Sequence, residues 1–161
     1  GTAQLYGGSI FKNVASGSGG GVYVQATSSD SYGTLSMTNG LIGYNIAAIS
    51  GGGVYLEGGT CTLNGGQIKG NTATSQNGGG VWMNAGASKP GRIDFRQSAP
   101  GLCITENRSE NGSGGGVWND TPDVDPFLRS GATITPGDLN TFISGNMAVA
   151  TGISNDYNTA P

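Results

Sequence analysis

GGGVYLEGGTCTLNGGQIKGNTATSQNGGGVW, residues 51–82, is the stretch that best predicts the fold, because it begins and ends with the same five-residue motif. That motif, three glycines followed by Val and an aromatic residue, occurs four times in the chain. Its valines are Val22, Val54, Val81 and Val117, at spacings of 32, 27 and 36 residues. Self-similarity at a period of about 20 to 50 residues is typical of proteins built from stacked repeats.

Two further motifs recur in the same cyclic order between the glycine motifs. One is Ile-x-x-Asn-x-Ala or Ser, which occurs five times. Its asparagines are Asn13, Asn45, Asn71, Asn107 and Asn146. The other is a pair of apolar residues two positions apart, such as Cys61 and Leu63. We expect the asparagines to stack as a structural ladder, with their amides bonded to one another and to the main chain at a corner.

Each motif has the period-2 alternation of a short strand, which places Val22 and Val24 on one side and Tyr23 on the other. No stretch has a helical period over the roughly ten residues that a crossover helix would need. Gly and Asn stand at the corners, where a positive φ is accessible to them. The pattern predicts an all-β fold, a right-handed parallel β-helix of about five coils with three short strands each and no helix of note.

The composition fits a narrow interior filled by columns of small apolar residues. Of the 161 residues 32 are Gly and 6 are Pro, a share that approaches that of disordered chains. The formal net charge is only −3 and the glycines cluster at intervals, so the composition favours an architecture over a linker. We interpret residues 1–161 as one domain. Because no capping element covers the first strand, we expect further coils or another domain ahead of Gly1.

Several classes of function are disfavoured by residue content. The chain has no His, which removes His-based triads and His metal sites. No apolar run is long enough to predict membrane insertion by this segment, and the scattered basic residues predict no nucleic-acid partner. Alternation points Cys61 inward and Cys103 outward, so we expect two free thiols rather than a disulfide. No cofactor is predicted.

The repeat in residues 51–82 resembles the glycine-rich parallel β-helix repeats of bacterial surface proteins, of adhesin-like, polymorphic outer-membrane-protein-like and autotransporter-like kinds. The resemblance extends over nearly all of residues 5–158. It implies an extracellular or cell-surface location in bacteria, as one segment of a longer secreted or anchored protein. A shared fold does not by itself identify a function.

The aromatic residues of the glycine motif are the first candidate ligand-binding residues. They are Tyr23, Tyr55, Trp82 and Trp118. Alternation predicts that they form a column on the outer side of four consecutive coils. Exposed aromatic rings suit stacking on sugars or contact with a protein partner. The alternative is a structural column, in which the rings stack on one another and long loops cover them.

The insertion at residues 119–131 concentrates three acidic residues, Asp120, Asp123 and Asp125. Oxygen-rich loops of this kind can bind Ca²⁺. The spacing lacks the Gly and terminal Glu of an EF-hand, and a proline interrupts it. A solvated acidic loop without a metal is the competing interpretation.

One strand, with Arg92, Asp94 and Arg96 on its outer side, suggests the alternative of a polysaccharide lyase or hydrolase fragment. Ion pairing explains the same alternation of charge without catalysis. We therefore predict a non-enzymatic adhesin-like or display module, which binds a glycan or a host or bacterial surface protein on its aromatic face and loops. A purely structural stalk is the further alternative.

Overall fold

The computed structural model describes residues 1–28, 32–84, 90–96, 101–120, 127–129, 142–149, 153–154 and 157–159. Its strands form four sheets, and neighbouring strands run parallel in all of them except for one pair at the end of the third sheet. The chain passes through the first, second, third and fourth sheets in this order and then returns to the first. We call one such passage a repeat. The fold is therefore all-β with parallel sheets, as the sequence predicts.

The strands are short, and each sheet takes one strand from every repeat, with one additional antiparallel strand at the end of the third sheet. The first sheet contains Thr2–Leu5, Thr34–Met37, Thr60–Leu63, Arg92–Phe95 and Phe127–Arg129. The second contains Ser9–Phe11, Leu41–Gly43, Gln67–Lys69, Cys103–Thr105 and Ile143–Ser144. The third contains Val14–Ala15, Ile46–Ala47, Thr72–Ala73, Arg108–Ser109, Met147–Ala148 and the antiparallel Ile153–Ser154. The fourth contains Val22–Gln25, Val54–Glu57, Val81–Asn84, Val117–Asn119 and Tyr157–Thr159.

The register between strands aligns the sequence motifs with one another. In the fourth sheet Val54 pairs with Val22 on one side and with Val81 on the other. In the second sheet Ile42 pairs with Ile10 and Ile68 in the same way. Equivalent residues of successive repeats therefore stack in columns, and this confirms the repeat that the sequence predicted.

Each repeat has four strands, whereas the sequence predicted three. The Ile-x-x-Asn-x-Ala motif, taken as one strand, is divided between the second and third sheets. The division falls at a residue with positive φ directly before the asparagine. This residue is Lys12, Tyr44 or Glu106 in three repeats and a glycine, Gly70 or Gly145, in the other two. Because positive φ is uncommon for non-glycine residues, residue type gives no consistent signal for the corner.

Columns of apolar side chains fill the space between the sheets. Val54, Leu56, Cys61 and Ile93 are fully buried there. Phe95 stacks on Phe142 at a centroid distance of 5.0 Å. The alternate residues of the same strands face outward, which follows from the period of two. In the described part of the chain, no helix has the length and hydropathy of a membrane span.

The triple glycines allow the chain to pass close to the neighbouring repeat. Gly51 has a φ of 63°, a conformation that favours Gly. A Cβ atom on Gly52 would lie 2.4 Å from the carbonyl oxygen of Gly79 and 2.5 Å from that of Thr72. These contacts involve backbone atoms that belong to the stacked repeats, so a side chain at position 52 has no room.

Candidate functional site

The five motif asparagines form the predicted ladder. The Nδ2 of Asn45 donates to Oδ1 of Asn71, the Nδ2 of Asn71 donates to Oδ1 of Asn107, and each distance is 2.9 Å. The ladder begins with Asn13 and ends with Asn146, again at 2.9 Å for each bond. Each of these acceptor oxygens also receives the main-chain N–H of the preceding asparagine.

The ladder asparagines are buried and hydrogen-bonded, which is consistent with a structural role. Asn45 and Asn71 have no exposed surface. The second amide hydrogen of Asn71 is donated to the carbonyl oxygen of Ile42, at 2.9 Å. Because buried polar groups must be paired to avoid a desolvation penalty, these bonds stabilise the corner between the second and third sheets.

The four aromatic residues form a column along the fourth sheet, but most of it is covered. Tyr23 and Tyr55 stack with ring centroids 4.8 Å apart, and Tyr55 and Trp82 stack at 4.2 Å and nearly parallel. Tyr23 is 48% exposed, whereas Trp82 and Trp118 are only 7% and 8% exposed. The sequence left open whether this column is exposed or covered. In the structure the two tryptophans are buried, and the ring of Tyr55 stacks on that of Trp82, whereas Tyr23 is half-exposed.

The exposed end of the column carries hydrogen-bonding groups that sequence reasoning did not assign. The hydroxyl of Tyr23 donates to a carboxylate oxygen of Glu57, and the same oxygen accepts from Nε2 of Gln25 at 3.0 Å. Partial burial and then the hydrogen bond to Glu57 raise the pKa of Tyr23 above its ordinary value. Burial also raises the pKa of Tyr55. Both phenols are therefore neutral donors at physiological pH.

Only part of the predicted acidic loop can be compared with the structure. Asp120 is exposed, and its Oδ1 accepts a hydrogen bond from Nε1 of Trp118 at 3.3 Å. Asp123 and Asp125 lie outside the described residues. Among the described residues, no cluster of three acidic or thiol ligands exists. The described residues do not decide between the two interpretations of this loop, a solvated acidic loop and a calcium site.

The charged strand Arg92–Phe95 and the residue after it contain an ion pair. The Nε of Arg96 lies 2.6 Å from Oδ2 of Asp94, whose side chain is 9% exposed. Sequence reasoning gave ion pairing as one explanation of these charges, and the structure contains that pair. Arg92 is half-buried and takes no part in it.

The two cysteines are free, as predicted. Burial raises the pKa of the Cys61 thiol to about 12. Burial also raises the pKa of Cys103, which is half-buried rather than fully outward. Both thiols stay protonated at neutral pH, so neither is an activated nucleophile.

A cleft of about 400 Å³ lies where the chain passes from the fourth sheet to the first. It is lined by Tyr32, Gly58, Thr60, Pro90 and Arg92. Its position follows from loop length. In the second repeat this connection is the short turn at Gly58 and Gly59, between longer connections in the repeats before and after it. The unequal spacing of the motifs indicates that these connections differ in length, but it does not identify the side chains that line the cleft.

Comparison of the chain with protein-family models, with curated proteins and with solved structures finds no match. The function is therefore inferred from the exposed rings of the aromatic column and from the cleft.

Proposed function

We propose that this chain is a right-handed parallel β-helix that serves as a non-enzymatic, adhesin-like display module of a bacterial surface protein. In this proposal it is a segment of a longer protein and holds a glycan or a surface protein on its aromatic face and loops. The location is extracellular or at the cell surface.

A scaffold role is supported by the way the four sheets are held together. Every repeat contributes to the same buried columns, and the asparagine ladder joins five successive repeats. Stacked repeats give an extended surface whose insertions leave the stack at fixed corners. A module of this kind presents its loops in a constant geometry.

The observation that carries the binding role is the exposed ring surface of Tyr23 and Tyr55 on the outer side of the fourth sheet, beside the carboxylate of Glu57 and the amide of Gln25. A sugar presents an apolar ring face together with hydroxyl groups. An aromatic ring with polar neighbours matches both features, since flat rings contact the apolar face and the polar groups bind hydroxyls.

A polysaccharide lyase or hydrolase is the competing hypothesis. Such an enzyme needs an acid and a base that converge in a cleft. Asp94, the buried carboxylate of the charged strand, is engaged by Arg96. This pairing favours a structural role for the two residues over a catalytic one.

The test is a glycan array, together with binding to host-cell surfaces, of the wild-type chain and a Tyr23→Ala, Tyr55→Ala double variant. We expect the double variant to lose at least about tenfold in affinity, because it removes the apolar contact of two aromatic rings with the ligand, and about 1.4 kcal/mol corresponds to a factor of ten. Tyr6→Ala is the matched control, since Tyr6 is 69% exposed and lies outside the column.

Two outcomes would contradict the proposal. Absence of any glycan or cell-surface binding would favour the purely structural stalk. Release of reducing or unsaturated ends from pectin or alginate would favour the enzyme. Circular dichroism of the double variant shows whether a loss of binding is a loss of fold.

A further inference from the structure

The cleft between the fourth and first sheets has the form of a small-ligand site. It is lined by Gly58 of the short turn and by Thr60, the first residue of the next strand. Tyr32, from the connection one repeat earlier, and Pro90, from the connection one repeat later, also line it. A volume of about 400 Å³ lies within the range of about 300–1,000 Å³ that is typical of small-molecule pockets.

Arg92 differs from the other basic side chains that the structure describes. Lys69 pairs with Glu106, Arg96 with Asp94 and Arg108 with Glu110. Lys12 lies over the ring of Phe11, 5.1 Å from its centroid. Among the described residues, no carboxylate lies within ion-pair distance of Arg92. A half-buried guanidinium that lines a cleft without a carboxylate partner is suited to bind an anionic group from outside.

The nearest acidic side chain on the same face of the strand is Asp94, two residues further on. Its Oδ2 is bound to Nε of Arg96. The positive charge of Arg96 therefore offsets the negative charge of Asp94. For this reason Asp94 repels an anion at Arg92 less than an unpaired carboxylate would.

The other lining groups indicate which anion fits. Two of the lining residues, Tyr32 and Pro90, carry rings, and Thr60 carries a hydroxyl group. A planar carboxylate matches the fork of a guanidinium with two parallel hydrogen bonds. A ligand that combines a carboxylate, hydroxyl groups and an apolar ring face is a carboxylated sugar. The volume accommodates one or two sugar rings.

We infer that this cleft binds a carboxylated sugar, with its carboxylate on Arg92, its hydroxyls on Thr60 and its ring face against Tyr32 and Pro90. The inference rests on the proposed binding function and specifies its ligand class. It places the acidic sugar in the cleft beside the short connection at Gly58, and not on the exposed ring of Tyr23.

The test is ¹⁵N–¹H NMR titration of the chain with digalacturonate and with sialyllactose, each compared with its methyl ester. We expect at least one acid to shift the amide resonances of Gly58, Thr60 and Arg92. Its ester, which lacks the charge, should bind at least about tenfold more weakly. Arg92→Gln should cause a similar loss, and Arg92→Lys a smaller one.

Arg108→Gln is the matched control, because Arg108 lies in the third sheet, away from the cleft. It should leave binding unchanged, and the amide spectra of both variants report whether the fold is retained. Binding of neither acid, equal binding of acid and ester, or equal loss in both variants would overturn the inference. If the array detects glycans whose binding does not depend on Arg92, the proposed function stands and the cleft assignment fails.

Discussion

At the scale of single residues, the ladder asparagines are polar groups that bond to the repeats on both sides of them. The Oδ1 of Asn71 accepts both the main-chain N–H and the Nδ2 of Asn45, each at 2.9 Å. Its own Nδ2 bonds to Asn107 and to Ile42. One side chain therefore satisfies groups in the repeat before it and in the repeat after it.

Asn71→Ala should lower the free energy of unfolding by about 3 kcal/mol or more, because several buried donors and acceptors lose their partners together. Urea denaturation followed by circular dichroism measures the change. The control is Asn39→Ala, since Asn39 is exposed and accepts only the adjacent N–H of Gly40 among the bonds described. We expect the control to change the free energy by less than about 1 kcal/mol. Equal effects of the two variants would mean that a ladder asparagine contributes no more to stability than an exposed asparagine does.

At the scale of elements, the glycine corner controls how closely successive repeats approach. The main-chain N–H of Gly52 donates to the carbonyl oxygen of Gly78, and that of Gly53 to Gly80. These bonds continue the pairing of the fourth sheet through the corner. The missing Cβ atoms are what allows the backbones to pack at this distance.

Gly52→Ala should lower the free energy of unfolding by about 3 kcal/mol, since its Cβ would meet the carbonyl oxygen of Gly79 at 2.4 Å. Thermal and urea unfolding measure the effect. Gly17→Ala is the control, because nothing lies within 4 Å of a Cβ at that position. The control should be neutral or slightly stabilising through the reduced entropy of the unfolded chain. A destabilisation of similar size in both variants would show that confinement at Gly52 is unimportant.

At the scale of the whole molecule, the sheets couple each repeat to the one before and the one after. The strand Val54–Glu57 pairs with Val22–Gln25 on one side and with Val81–Asn84 on the other, in the same register. The stability of such an architecture is close to a sum over repeats and over the interfaces between neighbours. The repeat is thus the natural unit of insertion and deletion.

Deletion of residues 51–77, which is one period of 27 residues, should leave a folded all-β chain, because Val81 can then take the place of Val54 beside Val22. The melting temperature should fall by about 5–10 °C, since one repeat with its interface is lost. Deletion of residues 51–63 is the control. It removes the strands of only two sheets and joins the third sheet directly to the second, so we expect it to unfold the chain. Circular dichroism and thermal melts compare the two, and equal behaviour would contradict a stack of equivalent repeats.

The sequence predicted the parts of the structure that depend on local pattern. The three motifs recur with the same alternation, and the structure aligns Val54 with Val81 and Asn71 with Asn107 in the expected columns. The strand of the third sheet was missed because it follows a corner whose residue type varies: it is Lys12, Tyr44 or Glu106 in three repeats and a glycine in the other two. Non-glycine residue types give no indication of a positive φ. In the structure, the asparagine after each such corner donates its main-chain N–H to the asparagine of the next repeat.

The sequence by itself determined the period of the repeat, the inward columns and the asparagine ladder, because these follow from alternation and from the identity of residues at equal spacing. Only the tertiary structure decided how much of the aromatic column is accessible, since the burial of Trp82 depends on residues distant in sequence, such as Tyr55. The tertiary structure also brings Tyr32 and Arg92 to one cleft. Accessibility and convergence of this kind depend on unequal loops that meet in space, and the spacing of motifs does not encode where those loops come to lie.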